Sequence, residues 1–294
     1  MLFTISIPAY NRRKLLERNL IHLEEQKFDK SLFEVILVDD GSTDDTEEFV
    51  EEYLKKTNLS IRYIKQENQG KYMALRKAII EAKGKYFINC DSDDYLHEDA
   101  LAKLKILWDE IENNQIEIAG IIGHKLLHGT SQITGNRFPE NVIFSDPIEM
   151  RFKYNITGDK FPCFKTSILK KHNFPDYSRY TKFVPESYLF YSISLNYQFK
   201  YVNDFFLVCE YQHGGLSSNI QRYRIKNAFG CLKVYELYVN NFSWSKTIRG
   251  YFRNYINYVR FSSHTRNHIK INTFFDPILA IFGYMCFIND KLKF

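Results

Sequence analysis

The stretch Tyr86-Phe87-Ile88-Asn89-Cys90-Asp91-Ser92-Asp93-Asp94 decides the reading of this chain, because an apolar run one strand long ends in three closely spaced carboxylates. Carboxylates packed so tightly repel one another unless a cation sits between them. Oxygen donors suit Mg²⁺ or Mn²⁺, ions usually held by one or two carboxylates together with substrate phosphates. Asp91 and Asp93 alternate along the chain, so an extended backbone would aim both to one side. On its own the cluster reads equally well as a cap for the helix expected from near Glu98. Its surroundings have to decide.

Working outward, strands are expected at 3–7, 34–38, 61–64, 86–90 and 116–122, separated by amphipathic helices. One helix carries Leu15, Leu16, Leu20 and Leu23, another Phe49, Val50, Tyr53 and Leu54. Ser42, Thr43, Asp44 and Asp45 mark a helix start, and Gly84 ends the helix that begins near Lys71. Alternation of this kind predicts an α/β fold, a Rossmann-like and mainly parallel sheet flanked by helices on both faces. Residues 123–185 are less regular; a helix is expected at 186–198 and a strand at 205–211. Four polar clusters each follow the carboxyl end of an expected strand: Pro8-Ala9-Tyr10-Asn11, Asp39-Asp40-Gly41-Ser42, Glu67-Asn68-Gln69-Gly70-Lys71 and Asp91-Ser92-Asp93-Asp94. Each alone could be a turn, but in open α/β sheets that edge is where ligands bind.

These residues resemble those of the family 2 glycosyltransferases. The resemblance rests on Ile5-Ser6-Ile7-Pro8-Ala9-Tyr10-Asn11-Arg12, Val38-Asp39-Asp40-Gly41-Ser42-Thr43-Asp44, Asn68-Gln69-Gly70-Lys71 and Asp91-Ser92-Asp93-Asp94, in order and spacing. It is specific over roughly the first hundred residues, weaker to about 220 and absent beyond. It implies the A-type glycosyltransferase fold and an inverting, metal-dependent transfer. The donor would be a nucleotide-diphosphate sugar, a UDP-sugar by resemblance, and the acceptor a saccharide hydroxyl in bacterial surface-polysaccharide synthesis. Pro8, Ala9 and Tyr10 would wall the base pocket, Asp39 would accept a hydrogen bond from the base, and Asp91 would lie near the ribose. Asn68 and Ser92 join this nucleotide-binding set, and Asp93 would hold Mn²⁺ or Mg²⁺. Lys71 would meet the base or the diphosphate, with a surface lysine as the alternative. Arg76 stands where many relatives carry Asn, which favours a solvated helix position for it.

Displacement by an acceptor hydroxyl needs a base within hydrogen-bond reach. Glu186, following Phe183-Val184-Pro185, is the catalytic candidate, since relatives place an acidic residue at a comparable point. Many of them show Glu-Asp where this chain has Glu186-Ser187. Its alternative role is to complement a helix N-terminus. Asp159 and Asp176 are reserve carboxylates without a motif. His213-Gly214-Gly215-Leu216-Ser217 resembles a loop near the diphosphate.

Residues 1–221 thus read as a catalytic domain, with 1–122 as its nucleotide-binding half and 123–221 as its acceptor half. Residues 222–294 form a basic helical extension, with twelve Lys/Arg against Glu236, Asp276 and Asp290. Between Leu237 and Phe275 there is no acidic residue, and Arg249, Arg253 and Arg260 interleave with Trp244, Tyr251, Phe252, Tyr255, Tyr258 and Phe261. That pattern suits either an anionic membrane surface serving a lipid-linked acceptor or packing against the catalytic domain. Nucleic acid is not an expected partner. The five scattered cysteines show no metal or disulfide spacing, and no signal segment or membrane-spanning run is visible. A cytoplasmic location, peripheral at the inner face of the membrane, is therefore expected. Two rivals differ in class. A sugar nucleotidyltransferase would open on a Gly-rich basic loop, which Pro8-Ala9-Tyr10-Asn11 is not. Against a non-catalytic nucleotide-sugar binding module stand only Glu186 and the intact acidic cluster.

Overall fold

The computed structural model describes residues 1–210 and 219–294. The 213–217 loop singled out above therefore lies outside the described residues. Strands β1 (Phe3–Ala9), β2 (Phe33–Asp39), β3 (Ile61–Lys65) and β4 (Tyr86–Asn89) alternate with helices α1 (Arg13–Glu24), α2 (Thr46–Leu54) and α3 (Lys71–Glu81). All four strands pair in parallel. β1 and β2 are buried at every position, as expected of strands covered on both faces. One face carries Leu16, Leu20 and Leu23 of α1 with Trp108 of α4 (Ala100–Asn113), and the other carries Ala74, Ala78 and Ile79 of α3.

Beyond β4 the sheet becomes mixed. β5 (Tyr95–Leu96) is a short edge piece. β6 (Gly120–Leu127), β7 (Phe144–Ser145), α5 (Pro147–Phe152), β8 (Lys160–Lys165), α6 (Thr166–Lys171), α7 (Ser187–Ile193) and β9 (Phe199–Cys209) follow. The strand order is β3-β2-β1-β4-β8-β6-β9-β5, with β7 beside β9. β8 runs antiparallel to β4 and β6, while β6 and β9 are parallel. The strand expected at 116–122 begins at Gly120, because Gln115 turns at φ +52° after α4. The strand expected at 205–211 begins at Phe199, hidden in sequence by Asn203-Asp204. Opposite that dipeptide the β6–β9 register shifts between Ile122 and His124, and Asn203 Oδ1 accepts from Phe138 N–H (2.9 Å). A bulge accommodates the polar pair. The helix expected at 186–198 stops at Ile193, where the amides of Asn196 and Tyr197 turn back onto the Ile193 carbonyl.

The extension folds into α8 (Ile220–Lys226), α9 (Ala228–Asn241), α10 (Ile248–Thr265) and α11 (Asp276–Lys293). Its core joins Tyr238, Tyr251, Tyr255, Tyr258 and Phe261 to Ile148 and Phe152 of α5. For four of the six aromatics the packing alternative holds, while Trp244 is 41% exposed. Tyr251, Tyr255, Tyr258 and Phe261 are at most 2% exposed, and the three tyrosine hydroxyls bond inward, Tyr255 to the Lys270 carbonyl at 2.7 Å. Exposed apolar side chains lie instead on α11, at Ile278, Ile281, Phe282 and Met285. Arg260 and His264 of α10 hold buried Asp290 of α11, at 2.6 and 2.9 Å. Among the described residues no helix is long and apolar enough to cross a membrane.

Candidate active site

The carboxyl ends of β1, β2 and β4 form one edge, and each polar cluster contributes a turn there. Pro8 and Ala9 are buried at the end of β1, while Tyr10 is 46% exposed beyond them. Asn11, at φ +52°, ties this turn to the next: its N–H donates to Ser42 Oγ (2.9 Å), and its Oδ1 accepts from Thr43 N–H (2.8 Å). Asp39 is fully buried, and its carboxylate accepts from Ser42 N–H (2.8 Å) and the Tyr63 hydroxyl (2.7 Å). Asp40, not singled out in the sequence, organises the third turn. It accepts from Gln66 Nε2 (2.7 Å), Gln69 N–H (2.9 Å) and Gly70 N–H (2.7 Å).

Gly70 shows how closely the two halves of the site approach. Its φ is +94°, and a Cβ there would lie 1.8 Å from the Lys182 carbonyl oxygen. Only glycine permits that contact. Beside it Lys182 Nζ donates to Asn68 Oδ1 at 2.9 Å, and the next residue, Lys71, starts α3. Lys71 Nζ stands 2.7 Å from Asp91 Oδ2 and 2.7 Å from Glu186 Oε1. It is thus no free surface lysine. Burial works to lower the Lys71 pKa, but the carboxylates of Asp91 and Glu186 outweigh it and hold the ammonium well above its ordinary value. Glu186 precedes α7, makes no side-chain cap bond and keeps 44% of its side chain exposed. It stands at the N-cap position of α7, so its charge also faces the helix start.

The acidic cluster is a turn rather than an extended segment, closed by Asp94 N–H to the Asp91 carbonyl at 2.9 Å. The expectation that Asp91 and Asp93 share one side of a strand is corrected, because each carboxylate of the turn has its own surroundings. Asp91 accepts from Asn89 Nδ2 (2.9 Å) and from Lys71; burial would raise its pKa, yet Lys71 and Lys125 pull it below the ordinary range. Asp94 is 5% exposed and pairs with Lys125 of β6 at 2.9 Å. Burial, which Lys125 only partly offsets, pushes its pKa up to about 6. Ser92 is 7% exposed. The backbone is pinned from α1: Asn19 Nδ2 donates to the carbonyls of Asp91 (3.0 Å) and Asp94 (2.7 Å), and Arg18 Nη2 to that of Asp93 (2.7 Å). Two lysines therefore supply much of the neutralisation that the sequence alone assigned to a metal. Asp40, Asn19, Arg18 and Lys125 were missed because their partners are remote in sequence; the spacing of α1 is legible, but its target is not.

Asp93 is different. Among the described residues its carboxylate has no ion-pair partner, and burial followed by the Asp91 charge raises its pKa. No group of three or more His, Cys, Asp or Glu that could hold a metal occurs among the described residues. One unpaired carboxylate does fit an ion that takes most of its remaining ligands from diphosphate and water. The other candidates lie apart from this chemistry. Asp176 accepts from Ser178 in a local turn. Asp159 is exposed. Arg76 is not simply solvated, since it is half-buried and donates to the Phe174 carbonyl at 2.9 Å.

Comparison with known proteins identifies the family and the fold. The family model described as glycosyl transferase family 2 covers residues 4–172. The poly(ribitol-phosphate) beta-N-acetylglucosaminyltransferase TarS of Staphylococcus aureus is 30% identical over 180 residues, which is 60% of this chain and 30% of that protein. The chain thus spans about a third of that relative's length. In three dimensions, S. aureus TarS residues 1–349 superpose with a TM-score of 0.62 at 20% identity, covering 99% of this chain and 89% of that one. A mannosyltransferase from Pyrobaculum calidifontis, solved with GDP-Man and Mn²⁺, gives 0.58 at 17% identity over 99% and 82% of the two chains. The A-type glycosyltransferase fold expected from the sequence is the fold observed. This chain belongs to glycosyl transferase family 2.

Proposed function

We propose that this glycosyltransferase transfers a sugar from a UDP-sugar to a saccharide hydroxyl with inversion, in polysaccharide synthesis. One observation carries the reading. The Lys71 ammonium lies between Asp91 of the nucleotide half and Glu186 of the acceptor half, at 2.7 Å from each. The two carboxylates accept from one ammonium where the halves meet, and the nucleotide-sugar would sit at that junction. Pro8, Ala9 and Tyr10 would flank the base, with Asn68 and Ser92 beside them. Asp39 keeps lone pairs beyond its two internal bonds, but it is fully buried, so the turn above it would have to open for it to reach the base; Asp91 would face the ribose.

In the reaction the acceptor oxygen forms its bond to the anomeric carbon as the bond from that carbon to the diphosphate breaks. The hydroxyl proton passes to Glu186, and Lys71 shifts from Glu186 toward the departing phosphates. Mn²⁺ or Mg²⁺ on Asp93 would supply further charge neutralisation when bound. A lipid-linked acceptor would place the protein at an anionic membrane surface; basic residues of 237–275 and the exposed face of α11 would meet it, and liposome flotation tests that placement. For transfer itself, UDP-sugars are screened by thermal stabilisation with and without Mn²⁺, followed by turnover assays on Asp93→Ala and Glu186→Gln. A panel giving neither stabilisation nor turnover would refute the proposal, and stabilisation with no turnover on any acceptor would favour a binding module.

A further inference from the structure

A second basic cluster lies where the acceptor half meets the C-terminal extension. A cavity of about 100 Å³ opens between α5 and α10, lined by Arg151, Asn155, Thr157, Arg249 and Arg253 among others, with no carboxylate in its lining. We propose that it binds a phosphate group, as a monoester or diester, carried by the acceptor.

Two of the arginines are fixed in place. Arg151 Nη1 donates to the Ile156 carbonyl at 3.2 Å, and Arg249 Nη1 donates to Asn155 Oδ1. The wall between them is held in turn, because Asn136 Oδ1 accepts from Thr157 N–H (2.7 Å) and Thr157 Oγ1 (2.9 Å). Arg253, one turn beyond Arg249 on the same face of α10, has no hydrogen bond or ion pair from its guanidinium among the described residues. The acids on and before α5 are engaged elsewhere, while Asp159, two residues past Thr157, is exposed and has no ion pair among the described residues. Asp146 caps α5 and pairs with Lys246 at 2.8 Å, while Glu149 faces Lys153 and the Ser145 hydroxyl.

Three exposed arginines around one cavity concentrate positive potential there, which an anion would neutralise. Their paired donors match the oxygens of phosphate. Arg249 is the second residue of the 18-residue helix α10, whose N-cap Thr247 makes no side-chain cap bond, so the partial positive charge of the helix start adds to theirs.

The location indicates the source of the phosphate. The 155–159 loop leads into Lys160, the first residue of β8. β8 is antiparallel to β4, with Cys163 opposite Ile88, so its beginning lies at the edge where the β4 turn carries Asp91 and Asp93. The acceptor assignment rests on the transfer reading above; phosphate binding itself does not.

Isothermal titration with inorganic phosphate, and with a soluble glycerol phosphodiester, tests the pocket without any turnover. Wild-type protein is expected to bind both saturably. Arg253→Gln, which breaks no hydrogen bond among the described residues, should weaken binding about tenfold or more while the melting temperature and UDP binding stay unchanged. Arg151→Gln serves as the second variant. Absence of binding, equal binding by both variants, or displacement by chloride at equal concentration overturns the proposal. Vesicles of phosphatidylglycerol in phosphatidylcholine form the third arm: Arg253-dependent capture of vesicles without binding of the soluble diester overturns the acceptor assignment in favour of a lipid headgroup.

Discussion

Replacing Gly70 with alanine tests how the two halves of the site depend on each other. At φ +94° an L-residue is strained, at a cost on the order of 1–2 kcal/mol. The steric demand is larger. The new Cβ would meet the Lys182 carbonyl oxygen at 1.8 Å, so the backbone must open by about 1.5 Å to reach ordinary van der Waals contact at about 3.4 Å. The opening falls next to Lys71 on one side and four residues before Glu186 on the other, and so separates the groups that Lys71 bridges. Misplacement of about 1 Å costs about 10²-fold in rate, and a loss of at least that size is expected in kcat. Strain and clash together lower stability by roughly 2–4 kcal/mol, measured by urea denaturation. Stopped-time transfer assays and UDP titration report the two halves separately: UDP binding should fall much less than kcat. A Gly70→Ala enzyme with wild-type kcat would refute the claim that this contact sets the geometry between the halves.

Three further outcomes follow from the charges. Lys125→Met leaves Asp94 buried and unpaired, at a cost of about 3–5 kcal/mol near neutral pH; Lys125→Met/Asp94→Leu should recover most of it in urea denaturation. Because the folded-state pKa of Asp94 is already pushed up to about 6, above its unfolded value, the native state binds that proton more tightly. The Lys125→Met deficit must therefore shrink as pH falls toward 5, by at most about 1.4 kcal/mol per pH unit. Asp290→Asn removes the anion between Arg260 and His264; hydrogen exchange should show α11 losing protection while β1 and β2 keep theirs. Burial favours the neutral form of Asp290, but the Arg260 and His264 bonds outweigh it and lower its pKa. The same clamp then holds above the ordinary carboxylate range and is lost as pH falls below it. Asp93→Ala should abolish the Mn²⁺-dependent part of UDP-sugar stabilisation without lowering the apo melting temperature, since it removes a carboxylate that burial and the Asp91 charge disfavour and leaves the backbone bond from Arg18 in place.

The sheet and its ligand edge were legible because they depend on local pattern. β1 and β2 are apolar on both faces, and Pro8-Ala9-Tyr10-Asn11 and Asp39-Asp40-Gly41-Ser42 sit where each strand ends. Glu186 was a candidate from sequence, but its meeting with Lys71 was not foreseen, since the contact spans more than a hundred residues. Charge repulsion in the Asp91–Asp94 turn was read correctly, and its remedy only in part. Lys71 and Lys125 arrive from α3 and β6, so sequence distance concealed them. In the extension, helical spacing of Tyr251, Tyr255 and Tyr258 fixed a common face without saying which way it points. Their hydroxyls find the Asp276 carboxylate and the Lys270 and His268 carbonyls, which lets the whole face turn inward.

The central claim is that Glu186 acts as the base in a single displacement across the cleft bridged by Lys71. Proton NMR of the product formed by wild-type enzyme from a UDP-sugar, with Glu186→Gln run in parallel, tests it most directly. The expected result is a glycoside of inverted anomeric configuration, with kcat reduced about 10²–10⁴-fold in Glu186→Gln and UDP binding retained. A product of retained configuration, or a Glu186→Gln enzyme turning over at the wild-type rate, would contradict it.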